Sequence, residues 1–231
     1  MKKTRGPYFT YPRIPLPPQP LAKNDQLSRV LGGQQVFVRE FKRIVQSFLH
    51  PRQKLTVLDL VTGSGEFSRL MVDIARDQKW DTQVRAVDFE KPIIDAARKK
   101  SPRYPQIDFA FHPLSELDKL SPASFDVAVC CFALHLFSTE NAVTLLRCID
   151  RVASHGWLLL DLKRSRLLTM FTEAVGLWFG SEQNGNADGV RSTQQAFSAH
   201  EMKNLAFHAG ISDYHWKNCF VLGQALVKQK R

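Results

Sequence analysis

The stretch Leu55-Thr-Val-Leu-Asp-Leu-Val-Thr-Gly63-Ser-Gly65-Glu-Phe-Ser68 decides the fold. Its first six residues are apolar and β-branched enough to form a buried strand. A glycine turn follows, and then Glu66–Gln78 places Phe67, Leu70, Met71 and Ile74 on one helical face. Gly63 and Gly65 let the backbone turn tightly and approach a ligand without a Cβ in the way. A strand, a glycine turn and a helix in that order make a ligand site at the strand's carboxyl end.

Working outward, the same alternation repeats. Before the strand, Gln34–Leu49 carries Phe37, Phe41, Ile44 and Phe48 as one helical stripe, closed by Pro51. After it come a strand over Val84–Asp88, a helix over Lys91–Lys100 with Pro92 in its first turn, and a strand over Ile107–Phe111. Phe125–Phe132 is the most apolar strand and is expected at the centre of the sheet. Thr139–Ala153 reads as a helix, and Trp157–Asp161 as a strand after a His155-Gly156 turn. A helix is expected over 165–179, a polar loop over 181–192 and a helix over Ala199–Ala209. Residues 212–217 and 219–227 read as two closing strands. Repeated strand–helix units imply an α/β fold with helices on both faces of a parallel sheet. The closing pair adds an antiparallel hairpin and makes seven strands.

Three ligand classes compete for the glycine turn. A phosphate loop needs Lys-Ser/Thr after the glycines, and none is present. A dinucleotide site needs a third glycine, where Ser68 stands, and Glu66 adds negative charge beside a pyrophosphate. A ligand with an adenosine and a positive charge but no phosphate suits a turn flanked by Asp59 and Glu66. Asp88 ends the next strand, where a carboxylate accepts both ribose hydroxyls; its plainer reading is an acid meeting solvent.

At these positions the chain resembles the class I methyltransferases that use S-adenosylmethionine. Val57–Gly65 is similar to their first motif and Ala86-Val-Asp-Phe89 to their second. Ser124–His135 is similar to their fourth strand and Gly156–Leu162 to the strand after it. The nearest flavour is the ubiquinone/menaquinone-type small-molecule enzymes and related bacterial proteins. Asp161-Leu-Lys-Arg-Ser-Arg166 and Arg191–Met202 resemble segments of the latter. The resemblance spans roughly residues 26–227. It implies a Rossmann-like three-layer fold and S-adenosylmethionine as cofactor. The implied cofactor residues are Asp59, Thr62, Gly63, Ser64, Gly65, Asp88 and Phe89. Two positions depart from the family. Val61 replaces the usual first glycine of the turn. Phe111–Glu116 lacks the acid that meets the adenine amino group, leaving His112 or a carbonyl near Leu114 to substitute.

The acceptor is expected to be small and flat or aromatic. His135, just past the central strand, is a candidate base, or else a packed histidine capped by a carbonyl. Asp161 is the second catalytic candidate, or else a partner for Arg164 or Arg166. Those arginines are also candidates for an anionic acceptor group. The leader's Tyr8, Phe9 and Tyr11 and the helix carrying Trp178 are candidates to cover the pocket.

The net charge of +10 suggests nucleic acid, but its distribution argues for tails. Residues 1–24 hold five cations, six prolines and no acid, and Lys228, Lys230 and Arg231 end the chain. Residues 1–24 therefore read as a basic leader and 25–231 as a single domain. Proline opposes the amphipathic helix of a mitochondrial presequence. No window approaches 18 consecutive apolar residues, so no membrane span is expected. Cys130, Cys131, Cys148 and Cys219 have no CxxC spacing, and no metal site is expected. They read as reduced thiols of a cytoplasmic protein. A nucleic-acid-associated methyltransferase and a non-catalytic interaction protein remain alternatives.

Overall fold

The computed structural model describes residues 33–164, 195–219 and 223–230. The leader, the 165–179 helix with Trp178, and the 181–192 loop lie outside the described residues.

The order is α1 (Gly33–Gln46), β1 (Lys54–Leu60), α2 (Glu66–Gln78), β2 (Asp81–Asp88), α3 (Lys91–Lys99), β3 (Ile107–Phe111), β4 (Phe125–Cys131), α4 (Thr139–Val152), β5 (Ala153–Leu162), α5 (Ala199–His208), β6 (His215–Cys219) and β7 (Gly223–Gln229). Short 3-10 helices follow β3 (Leu114–Lys119) and β4 (Leu134–Leu136).

The seven strands form one sheet in the order β3-β2-β1-β4-β5-β7-β6, with β4 in the middle. The pairs among β1–β5 are parallel. β7 runs antiparallel to both β5 and β6. The chain steps outward from β1 to β3 and then returns to β4. The topological switch point therefore lies between β1 and β4, the crevice where such sheets take ligands.

Strand periodicity divides the core into two layers. Leu55 and Val57 face a cluster with Phe37, Phe41, Met71 and Ile94 from α1, α2 and α3. Leu58 and Leu60 face the opposite cluster with Leu145, Ile149, Met202 and Leu205 from α4 and α5. Successive side chains of one strand thus bury against different helices, which makes the three-layer architecture. Among the described residues, no helix is long and apolar enough to cross a membrane.

Helix α1 is fastened at its middle. Glu40 is 1% exposed, and its carboxylate receives Lys217 Nζ from β6 at 2.6 Å and Arg39 Nε at 2.9 Å. Burial pushes its acidity constant up, but the hydrogen bonds from Lys217 and Arg39 outweigh this and hold it below the ordinary value.

The structure corrects one expectation. His155-Gly156 is not a turn but part of β5. A Cβ on Gly156 would sit 2.5 Å from the Lys228 carbonyl and 2.9 Å from Ile44 Cγ2. The glycine serves close packing of β5 under β7 and α1, not a change of direction. The closing strands also begin three to four residues later than their patterns suggest.

Candidate active site

The carboxyl ends of β1 and β2 are joined through the glycine turn. Thr62 N donates to the Val87 carbonyl at 2.9 Å, extending the β1–β2 ladder by one bond. Gly63 N then donates to Asp88 Oδ2 at 3.0 Å, and Glu90 N donates to Oδ1 at 3.3 Å. Asp88 is 3% exposed; burial raises its acidity constant from 3.8 to about 6, against the pull of these backbone donors.

Asp59 braces the turn from inside. Its Oδ2 accepts Thr62 Oγ1 at 2.7 Å and Ser68 Oγ at 2.5 Å. Burial raises its acidity constant too, with the two hydroxyls opposing the shift. Ser64 is buried, and its carbonyl accepts Arg69 Nη1 at 2.9 Å. The same nitrogen reaches Ser101 Oγ at 3.0 Å, linking the turn to the end of α3.

Val61, Gly63 and Gly65 all have positive φ, at 62°, 57° and 76°. For a β-branched residue this is a strained conformation of the kind held at functional sites. The two glycines differ in surroundings. A Cβ on Gly65 would meet Phe109 Cε1 at 2.9 Å, whereas a Cβ on Gly63 would meet nothing within 4 Å.

Gly63, with that open space beside it, and the adjoining Asp88 are residues that could hold a cofactor. A carboxylate at this strand end is able to accept hydrogen bonds from ligand hydroxyls. Phe89 follows it and packs edge-on against Phe137, with ring centroids 5.6 Å apart. His112 N donates to the Asp88 carbonyl at 3.0 Å, which brings the loop after β3 beside the same edge. Its ring Nε2 lies 3.0 Å from the Glu116 carbonyl. Leu114 opens the following 3-10 helix and is partly buried against the core.

The two catalytic candidates meet. His135 Nδ1 lies 2.6 Å from Asp161 Oδ1, and the His135 backbone N–H donates to Oδ2 at 2.8 Å. They come from different chain segments, 26 residues apart. Arg164 does not pair with Asp161; its guanidinium clamps both oxygens of Glu201 at 2.5 and 2.6 Å. Glu201 also completes the capping box of α5 with Ser198. Arg166 lies outside the described residues.

Two contacts were not legible in the sequence. Gln34 Nε2, at the start of α1, donates to Glu66 Oε1 at 2.5 Å, tying α1 to the first turn of α2. Phe132, directly after β4, has φ 52°, donates its N–H to the Leu160 carbonyl of β5 at 2.7 Å and stacks on Phe67 with ring centroids 5.9 Å apart. Both depend on elements that meet only in three dimensions, so periodicity carries no signal for them. Among the described residues no cluster of His, Cys, Asp and Glu is arranged to hold a metal ion.

Residues 57–156 match the family model for a methyltransferase domain. The fold is similar to that of a SAM-dependent methyltransferase from Aquifex aeolicus, at 16% identity and TM-score 0.62, over 92% of this chain and 97% of that one. It is similar to magnesium protoporphyrin IX methyltransferase from Synechocystis PCC 6803, solved with SAH, at 18% identity and TM-score 0.59, over 92% and 89%. It is also similar to the plantazolicin methyltransferase, solved with a substrate analogue and SAH, at 13% identity and TM-score 0.67, over 91% and 90%. No curated protein sequence matches the chain.

Proposed function

We propose that the chain, whose residues 57–156 match a family model for a methyltransferase domain, is a class I, S-adenosylmethionine-dependent methyltransferase that methylates a small, flat or aromatic acceptor at the carboxyl edge of β1, β4 and β5. The cofactor supplies an electrophilic methyl group on a sulfonium. Asp88 holds the ribose, and the Thr62–Gly65 turn carries the methionine end. The observation that carries this reading is the juxtaposition of a buried Asp88 with Gly63, whose Cα faces open space.

The acceptor side is apolar. Leu136 is 37% exposed beside His135, and Phe89 and Phe137 form an aromatic pair next to it. An aromatic acceptor gains from such edges and faces. The protein's task is then to position the acceptor and exclude water.

Titration calorimetry with S-adenosylmethionine and S-adenosylhomocysteine tests the cofactor half. Asp88→Ala removes two charge-assisted hydrogen bonds, about 2–4 kcal/mol or roughly 30- to 1,000-fold in affinity. Unchanged binding in that variant refutes the ribose assignment. Tighter binding of a nicotinamide dinucleotide moves the protein to another reaction class.

A further inference from the structure

Two strained residues border the crevice at the switch point. Val61 directly follows β1 and Phe132 directly follows β4, and both have positive φ, at 62° and 52°. β1 and β4 are paired as far as Asp59 and Val129. Three residues past that pair the two chains have parted. Thr62 N donates to the Val87 carbonyl of β2 at 2.9 Å, whereas Phe132 N donates to the Leu160 carbonyl of β5 at 2.7 Å. The crevice opens between these two bonds. A left-handed φ on a residue with a large side chain is held only by its surroundings, and such residues gather at ligand sites.

The Phe132 ring reaches from the β4 side to the helix that follows β1. It stacks on Phe67 with ring centroids 5.9 Å apart and planes 26° apart. Phe67 is the second residue of α2, two positions after Gly65. The Phe132 ring therefore lies against the first turn of α2, beside the glycine turn. It is only partly buried. Among the described residues it has no second aromatic neighbour, and no cation lies over its face.

We infer that the Phe132 ring receives the sulfonium of the cofactor, which makes Phe132 the residue that distinguishes charged S-adenosylmethionine from its neutral product. This rests on the methyltransferase reading above, which puts the methionine end at the Thr62–Gly65 turn. A sulfonium is a diffuse cation that donates no N–H or O–H hydrogen bond, and the negative face of an aromatic ring attracts such a cation. The nearby carboxylates act differently. Asp59 Oδ2 holds Thr62 and Ser68, and Asp88 takes the backbone N–H groups of Gly63 and Glu90. Their charge favours any cation in the crevice, while the ring acts only at contact distance. When the methyl carbon bonds to the acceptor atom, the carbon–sulfur bond breaks and its electron pair stays on sulfur. The sulfur is then neutral, so the attraction ends with the transfer and product release is eased. Phe132 is thus a specificity-determining residue and moves no proton.

The test is titration calorimetry of the full-length protein, without acceptor, with S-adenosylmethionine and S-adenosylhomocysteine in turn. The variant is Phe132→Leu. Leucine bears the same left-handed backbone cost and fills most of the same space, so it removes the ring face and little else. S-adenosylmethionine affinity should fall about fivefold to thirtyfold, while S-adenosylhomocysteine affinity changes by less than about twofold. Phe132→Tyr keeps a ring face and should hold the ratio of the two affinities within about twofold of wild type. Should the leucine variant fail to fold, Phe132→Met fills the gap with a flexible side chain and gives the same reading. A merely structural role predicts equal losses for both ligands. Equal losses, or a ratio unmoved in Phe132→Leu, overturn the inference. If wild type binds neither ligand, the methyltransferase reading falls and this inference with it; if wild type binds both and the ratio does not move, only this inference falls.

Discussion

The backbone N–H of Gly63 donates to Oδ2 of Asp88 across 3.0 Å. The glycine turn after β1 and the acid ending β2 are therefore one unit, although 25 residues separate them. The bond orients the carboxylate before any ligand arrives. Its burial also makes the charged carboxylate a source of instability.

Asp88 has its acidity constant raised from 3.8 to about 6, chiefly by burial. A group raised in the folded state stabilises the fold fully below its unfolded value, and that contribution is lost as pH rises through about 6. Above that pH the buried charge is a cost. Asp88→Asn should therefore stabilise the ligand-free protein at neutral pH by about 1–2 kcal/mol, less than the full shift because an amide satisfies the two backbone donors poorly. Calorimetric melting across pH should show the gap between variant and wild type closing toward acid. A wild type as stable as the variant at neutral pH contradicts the assignment.

The two glycines of the turn should separate stability from binding. Gly65→Ala drives a methyl onto the Phe109 ring, with contacts at 2.9 and 3.0 Å, and strains a φ of 76°. It is expected to lose about 2–3 kcal/mol in urea unfolding. Gly63→Ala has no clash and should lose only about 1 kcal/mol from its left-handed backbone. Its methyl nonetheless enters the space assigned to the cofactor, so S-adenosylhomocysteine affinity should fall about tenfold or more. Wild-type affinity in Gly63→Ala means the cofactor lies elsewhere.

Val61 offers a check on the strained backbone. At φ 62°, a β-branched residue loses about 1–2 kcal/mol that glycine recovers, against glycine's own entropy cost and the lost packing. Val61→Gly should stay within about 1 kcal/mol of wild type, whereas Val57→Gly, at a fully buried position of β1, should lose about 3 kcal/mol or more. Equal losses at both positions, by denaturant titration, would show that Val61 is not strained.

Glu40 and Lys217 tie α1 to the outermost strand at 2.6 Å. Lys217→Met leaves a buried carboxylate with only Arg39 and Arg43, so about 1–3 kcal/mol should be lost. Adding Glu40→Gln should restore part of it. The Glu40 acidity constant lies below its ordinary value, so its contribution is present above the unfolded value and lost as pH falls through the folded one. The single variant should thus be less acid-sensitive than wild type when unfolding is followed by circular dichroism. Additive losses in the double variant would mean the pair is not coupled.

Most of the architecture was legible in the sequence. The apolar run Leu55–Leu60 read as a strand buried on both faces, and the helical stripe of Phe37, Phe41 and Ile44 as one buried helix face. They do so because burial of apolar area is local to each segment's own periodicity. The glycine turn and Asp88 were legible for the same reason, since the turn and the strand end constrain their residues directly. Tertiary structure alone decided the rest. His135 and Asp161 each read as an independent candidate, and only the parallel pairing of β4 with β5 brings their side chains to 2.6 Å. Gly156 read as a turn until the approach of Lys228 and Ile44 explained it. Arg164 read as a partner for Asp161, and it pairs with Glu201 instead. Hydrogen bonds and close contacts between distant segments are fixed by strand order and register, which a sequence read one segment at a time does not contain.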